Sequence, residues 1–146
     1  MKLPIHSILI AGLLGSASGW VNAATAVEVF KNPSCGCCGG WVEIMQKSGF
    51  KVTTHDVSDV PTERKKLGMP DRLASCHTAH IGSYVIEGHV PVADIQRLLK
   101  EKPKALGLAV PGMVPGSPGM PAQGNPTHYD TLLVQTDGTS SIFAQH

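Results

Sequence analysis

The sequence predicts a small α/β domain that carries one long Pro/Gly/Met loop and ends in an extra C-terminal β-hairpin. Three observations predict it. Short β-branched runs alternate with helical periodicities over residues 27–99. A stretch rich in proline and glycine follows over residues 103–127. Beyond it, two apolar runs flank Thr136-Asp137-Gly138-Thr139, a turn sequence suited to a tight hairpin. The chain's 146 residues suffice for one core and hardly for two. Hydrophobic residues make up 42% and charged residues 16%, the balance of a globular chain rather than a disordered one.

Residues 1–23 read as an export signal. Met1-Lys2 is a positive start, residues 8–14 (ILIAGLL) are a short apolar core, and Val21-Asn22-Ala23 offers the small residues a signal peptidase reads. The apolar run is too short to span about 30 Å of hydrocarbon. The expectation is therefore a signal over residues 1–23 and a single domain over residues 24–146, exported and free of the membrane. Export would place the cysteines in an oxidising compartment.

The elements follow in order. Residues 27–30 (VEVF) read as a strand stopped by Asn32-Pro33-Ser34. Trp41, Ile44, Met45 and Ser48 fall on one face of a helix that Gly49 closes. Residues 51–57 are a second, β-branched strand. Pro61-Thr62-Glu63 opens a short helix through Leu67, with Gly68 as its stop and Met69 as core packing. Residues 76–86 read as a hairpin around Gly82-Ser83. Pro91 and Asp94 open a helix whose buried face is Val92, Ile95, Leu98 and Leu99. Residues 131–135 and 141–144 form the last hairpin. Trp41, Ile44, Ile95 and Leu98 are the expected centre of the core.

The 25 residues 103–127 hold six prolines and five glycines, with Pro111-Gly112-Met113 repeated seven residues on as Pro118-Gly119-Met120. A loop this long inside a compact domain is either a flexible linker or a functional segment. The functional reading is a loop that closes over a site and offers two thioethers.

Chemistry concentrates at Cys35-Gly36-Cys37-Cys38. The run follows a strand and opens a helix, where amide N–H groups and the helix dipole stabilise thiolates. Cys35 and Cys38 hold a C-x-x-C spacing, and Cys37 adds a thiol that simple dithiol exchange does not need. Cys76, in Ser75-Cys76-His77, is the fourth. Four cysteines allow two disulfides in any of three pairings, or a metal site. Thiolate with thioether favours Cu(I), whereas a closed Cys₄ set favours zinc. Met113 and Met120 tilt the choice to copper, and bridging thiolates would admit more than one ion. His89 sits at a strand-to-helix turn and is a candidate ligand. His77 adjoins Cys76, and both reach one site only if the chain bends between them. His55, His80, His128 and His146 read as surface or packing residues. A formal net charge of +1 offers no concentrated basic face, so nucleic acid is not an expected partner.

These motifs taken in order resemble a known family. Cys-Gly-Cys-Cys-Gly-Gly-Trp (35–41), Ser-Cys-His-Thr-Ala (75–79), Tyr-Val-Ile-Glu-Gly-His-Val-Pro (84–91), and Val-Pro-Gly-Met (110–113) with Gly-Ser-Pro-Gly-Met (116–120) are similar to the CopG-type periplasmic copper-resistance proteins. The resemblance implies a thioredoxin-like fold and copper binding. It implies Cys35, Cys37, Cys38 and Cys76 as core copper ligands, with His77, His89, Met113 and Met120 as further ligands or supports. Copper ions are the implied partners, along with other periplasmic copper-handling proteins. Two functions stay open. One is a copper-binding resistance protein that also shifts its metal between Cu(I) and Cu(II). The other is a thiol-disulfide oxidoreductase using Cys35 and Cys38, with Cys37 or Cys76 as the resolving thiol.

Overall fold

A computed structural model describes residues 24–122, 124–125 and 127–146; the expected export signal lies outside them. The chain runs β1 (Ala26–Lys31), α1 (Gly36–Lys47), β2 (Lys51–Asp56), α2 (Val60–Lys66), a 3-10 turn (Asp71–Leu73), β3 (His77–Ile81) and β4 (Tyr84–Glu87). It continues through α3 (Val92–Glu101), β5 (Gly107–Ala109), β6 (Asp130–Val134) and β7 (Ser140–Gln145). One sheet contains all these strands in the order β2-β1-β3-β4-β5-β6-β7. β1 pairs parallel with β2 and antiparallel with β3, and β3 pairs antiparallel with β4. Those four strands with the three helices form the thioredoxin-like α/β arrangement. β5, parallel to β4, attaches the β6–β7 hairpin to it.

Two apolar clusters hold the layers together. Val27, Val29, Ala79, Ile81 and Ile86 pack with Trp41 and Met45 of α1 and with Ile95 and Leu98 of α3. Val85, Ala109 and Val134 pack with Met69 and Leu73. Met69 is thus core, as its place after Gly68 suggested.

The face of α1 differs from the expected one. Its buried residues are Cys38, Trp41, Val42 and Met45, while Ile44 is half-buried and Ser48 is exposed. The i, i+3, i+4, i+7 stripe starts at Cys38, because the helix begins inside the cysteine motif. Ser48 instead caps the end, its hydroxyl donating to the Ile44 carbonyl at 2.8 Å. On α3 the buried residues are Asp94, Ile95 and Leu98, with Val92 and Leu99 only partly covered. Asp94 is buried because Thr131 Oγ1 (2.6 Å) and His146 Nε2 (2.8 Å) bind its carboxylate, docking the terminal hairpin on the helix. His146 is therefore a structural partner rather than a free surface residue.

β5 lies inside the stretch expected to be loop. Leu106-Gly107-Leu108-Ala109-Val110 is apolar enough to pair, and its glycine is required. A Cβ on Gly107 would lie 1.7 Å from the Val85 carbonyl oxygen, a backbone atom that cannot yield. Gly107→Ala should force β5 off β4 and cost about 3 kcal/mol or more. Urea unfolding checks this, and a midpoint equal to the parent's would refute the close approach.

Candidate metal centre

The site begins where β1 stops. The Asn32 side chain accepts from Ser34 N at 2.9 Å and its carbonyl accepts from Cys35 N at 3.0 Å, turning the chain sharply into α1. Cys35 is the N-cap residue, and Cys37 and Cys38 occupy the first turn, which holds no acidic side chain. The positive end of the helix thus faces three sulfurs. Cys76 arrives from a bend just before β3, the bend that lets it and His77 serve one region.

The four sulfurs lie within 4.8 Å of one another. Cys35 and Cys38 are joined by a disulfide, and Cys37 and Cys76 are free thiols. Cys76 Sγ is 3.4 Å from Cys38 Sγ and 3.9 Å from Cys37 Sγ, and Cys35 Sγ is 3.4 Å from Cys37 Sγ. Cys76 also belongs to a second donor set with His77 and His89. His89 Nε2 lies 2.9 Å and His77 Nδ1 3.4 Å from Cys76 Sγ.

The two histidines are fixed by a main-chain carbonyl and by ring packing. His89 Nδ1 donates to the Pro118 carbonyl at 2.8 Å, which leaves Nε2 with its lone pair toward Cys76. The His77 ring lies 4.7 Å from the Trp41 ring and 5.0 Å, edge-on, from that of His89. Trp41 is itself fixed by a 2.9 Å bond from Nε1 to the Val90 carbonyl. Complete burial, aided by neighbouring His89, drives the His77 pKa down to about 3, and burial also lowers that of His89. Both imidazoles are neutral near pH 7. Burial, with the Cys37 sulfur alongside, pushes the Cys76 thiol up to about 12. A metal held by Cys76 must therefore displace its proton.

The long loop covers both cysteine segments. Gly112 N donates to the Ala74 carbonyl at 2.9 Å, and the Ser75 hydroxyl donates to the Gly112 carbonyl. Gly119 sits against the first turn of α1, where a Cβ would lie 2.5 Å from Trp41 N and 2.8 Å from Cys37 O. Each glycine of the Pro-Gly-Met repeat is thus a contact with one cysteine segment. The methionines differ: Met113 is 59% exposed, whereas Met120 is half-buried. His55, away from this centre, stacks on Phe30 at 4.9 Å.

Sequence reasoning missed the supports. Behind Ser75, buried Arg64 donates from Nε to buried Glu87 Oε1 at 2.8 Å. Burial raises the Glu87 carboxyl pKa, opposed by bonds from Ser75 N and Arg64. A lone acid in the apolar run Tyr84-Val85-Ile86-Glu87 was the available signal. The Pro118 carbonyl was likewise within the repeat whose methionines drew attention.

Among the described residues, no helix is long and apolar enough to cross a membrane. A family model described as "Protein of unknown function, DUF411" matches residues 73–120. No curated protein matches the chain. Two solved structures do, named "Copper resistance protein copG- Form 2" and "Copper resistance protein copG- Form 1". Each is 38% identical, with a TM-score of 0.79, over 84% of this chain and 98% of the other. With that identity spanning nearly the whole of the related protein, and the cysteine and histidine donors gathered at one helix end, this chain belongs to the CopG copper-resistance family.

Proposed function

We propose that this protein is exported to the periplasm, with residues 1–23 removed, and there holds copper, Cu(I) being favoured, as part of copper resistance. Cys35, Cys37, Cys38 and Cys76 supply thiolates, and His77 and His89 supply neutral imidazoles. The observation that carries the reading is the place of Cys76 Sγ, shared by a four-sulfur set and a sulfur–imidazole set. One tetrahedral zinc uses four donors. Six donors around a shared sulfur supply enough for more than one ion, and thiolate richness suits copper. The name of the two related structures, a copper resistance protein, supports the same metal.

The chain's own residues do three things in this reading. α1 presents thiolates at its positive end, burial keeps the imidazoles neutral, and the Pro-Gly-Met loop limits water. Met113 and Met120 are further thioether donors on that loop. Mixed sulfur and imidazole donors suit both valences of copper, so exchange between Cu(I) and Cu(II) belongs to the proposal. Capacity follows the Cys35–Cys38 pair. Its disulfide withholds two ligands, and two electrons with two protons restore both thiols.

A second reading, thiol-disulfide exchange, is favoured by that disulfide and by the 3.4 Å approach of Cys76 Sγ to Cys38 Sγ. One experiment separates the two. Reduced protein is placed in competition with a Cu(I) chelator, with and without zinc, and assayed in parallel for insulin reduction. Copper should be retained against tenfold excess zinc, about 1.4 kcal/mol of preference at the least, with slow insulin reduction. Displacement by equimolar zinc, together with fast insulin reduction, would replace copper handling by exchange.

A further inference from the structure

The Arg64–Glu87 ion pair lies outside the donor set, and besides a looser 3.9 Å approach of Arg64 Nη1 to Asp71 Oδ1 its hydrogen bonds lead to the donors. Glu87 is fully buried and Arg64 is 3% exposed. Arg64 Nε donates to Glu87 Oε1 at 2.8 Å, and both residues then grip one neighbour. Arg64 Nη2 donates to the Ser75 carbonyl at 2.8 Å, while Ser75 N donates to Glu87 Oε1 at 2.7 Å. Ser75 is thereby held through both of its main-chain polar groups.

Three donor-bearing segments meet at that residue. Cys76 is next in the chain. Gly88, which precedes His89, is seated so closely that a Cβ there would lie 2.5 Å from the Ser75 side chain. Gly112, which precedes Met113, accepts from the Ser75 hydroxyl and donates to Ala74. A buried ion pair is a costly way to pack a helix on a sheet, since apolar residues of similar size often do as well or better. This pair's distinctive product is the fixed position of Ser75.

We infer that Arg64 and Glu87 are positioning residues for the metal centre. They fix Ser75, and through it the distance of Cys76 Sγ from Cys38 and from His89. The inference rests on the copper reading for its affinity readout alone, because the placement of Cys76 is also measurable without metal.

The test removes both charges together, as Arg64→Met with Glu87→Leu, so that neither is left buried and unpaired. The reduced, metal-free protein is first alkylated, and the rates at Cys76 and Cys37 are followed by peptide mass analysis. Freed from its hold, Cys76 should react about tenfold faster, as a buried thiol gaining access does, with Cys37 little changed. Cu(I) affinity should fall about tenfold, the lower end of what loss of a ligand's supporting partner does. The thiolate-to-copper ultraviolet band should change shape. Glu87→Gln, which keeps shape and an acceptor oxygen, should move the same readouts less, and it serves if the double variant does not fold. Val134→Ala, in the other apolar cluster, should lower stability and leave Cys76 reactivity and the band alone.

A folded double variant, or a folded Glu87→Gln in its absence, with parental Cys76 reactivity and parental copper affinity overturns the inference. So does the same change in reactivity in Val134→Ala, which would reduce the ion pair to general stability. If the parent binds no copper but Cys76 still shifts, the copper reading fails and the positioning role stands.

Discussion

Cys76→Ser should remove most of the bound copper and leave the domain folded. Cys76 is the one side chain that belongs to both donor sets. Loss of Cys37 would leave Cys76 with two imidazoles, and loss of His77 would leave the four sulfurs. Loss of Cys76 leaves neither set whole. A serine hydroxyl nearly matches the thiol in size but is a poor ligand for a soft ion. The fold has little reason to object. Cys76 is half-buried, forms no disulfide, and precedes β3 rather than pairing within it. The new hydroxyl can also donate to His89 Nε2, the atom 2.9 Å from the present sulfur. The expected stability change is within about 1 kcal/mol. Copper per chain after gel filtration, read against the circular dichroism spectrum, decides the matter. Cys35→Ser and Cys38→Ser should also lose copper, less completely, because each frees its former disulfide partner as a thiol. Parental copper content in Cys76→Ser would show that the sharing of this sulfur has no bearing on binding.

The parts of this fold that were legible in sequence are those fixed by neighbours in the chain. Asn32-Pro33-Ser34 stops a strand and turns the chain into a helix because turn chemistry acts over three or four residues. Gly68 and Gly138, with φ of +82° and +86°, stand where the sequence placed a helix stop and a hairpin turn. What escaped was set by distant partners. Gly107 to Ala109 looked like loop amid prolines and glycines, and become strand because Val85 to Glu87 pair with them. Asp94 looked like a helix-start acid and is buried by Thr131 and His146, which lie far from it in the chain. The stripe on α1 was read one step too late because Cys38 counts both as a reactive thiol and as a fully buried apolar side chain. At the candidate metal centre the proposed donors were visible by residue type. Their supports, Ser75, Glu87 and the Pro118 carbonyl, act through main-chain atoms or from a buried strand, which no donor motif displays.

Gly119→Ala should damage the site although the added methyl group touches no ligand. Gly119 adopts φ of +84°, and its missing Cβ would lie 2.5 Å from Trp41 N and 2.8 Å from Cys37 O. Both neighbours are main-chain atoms of the first turns of α1, so the loop must lift rather than the helix yield. Lifting it pulls the Pro118 carbonyl away from His89 Nδ1, now 2.8 Å distant. The imidazole then loses the partner that fixes its tautomer and turns Nε2 toward Cys76. Copper affinity should fall by roughly tenfold to a hundredfold, the range seen when a ligand's supporting partner is lost. The core should survive, because Trp41 keeps its bond to the Val90 carbonyl and its place among Met45 and Ile95. Gly112→Ala is the control for strain alone. Its φ is +75° but a Cβ would meet nothing within 4 Å, so it should cost about 1 kcal/mol of stability with affinity little changed. Met113→Leu with Met120→Leu then divides the loop's two roles, since leucine nearly matches methionine in volume and lacks its sulfur. A loss in Gly119→Ala without one in the methionine double variant identifies the loop as a cover that orients His89. Losses in both make its thioethers donors as well. Parental affinity in Gly119→Ala would mean that the loop's seat on α1 is irrelevant to the metal.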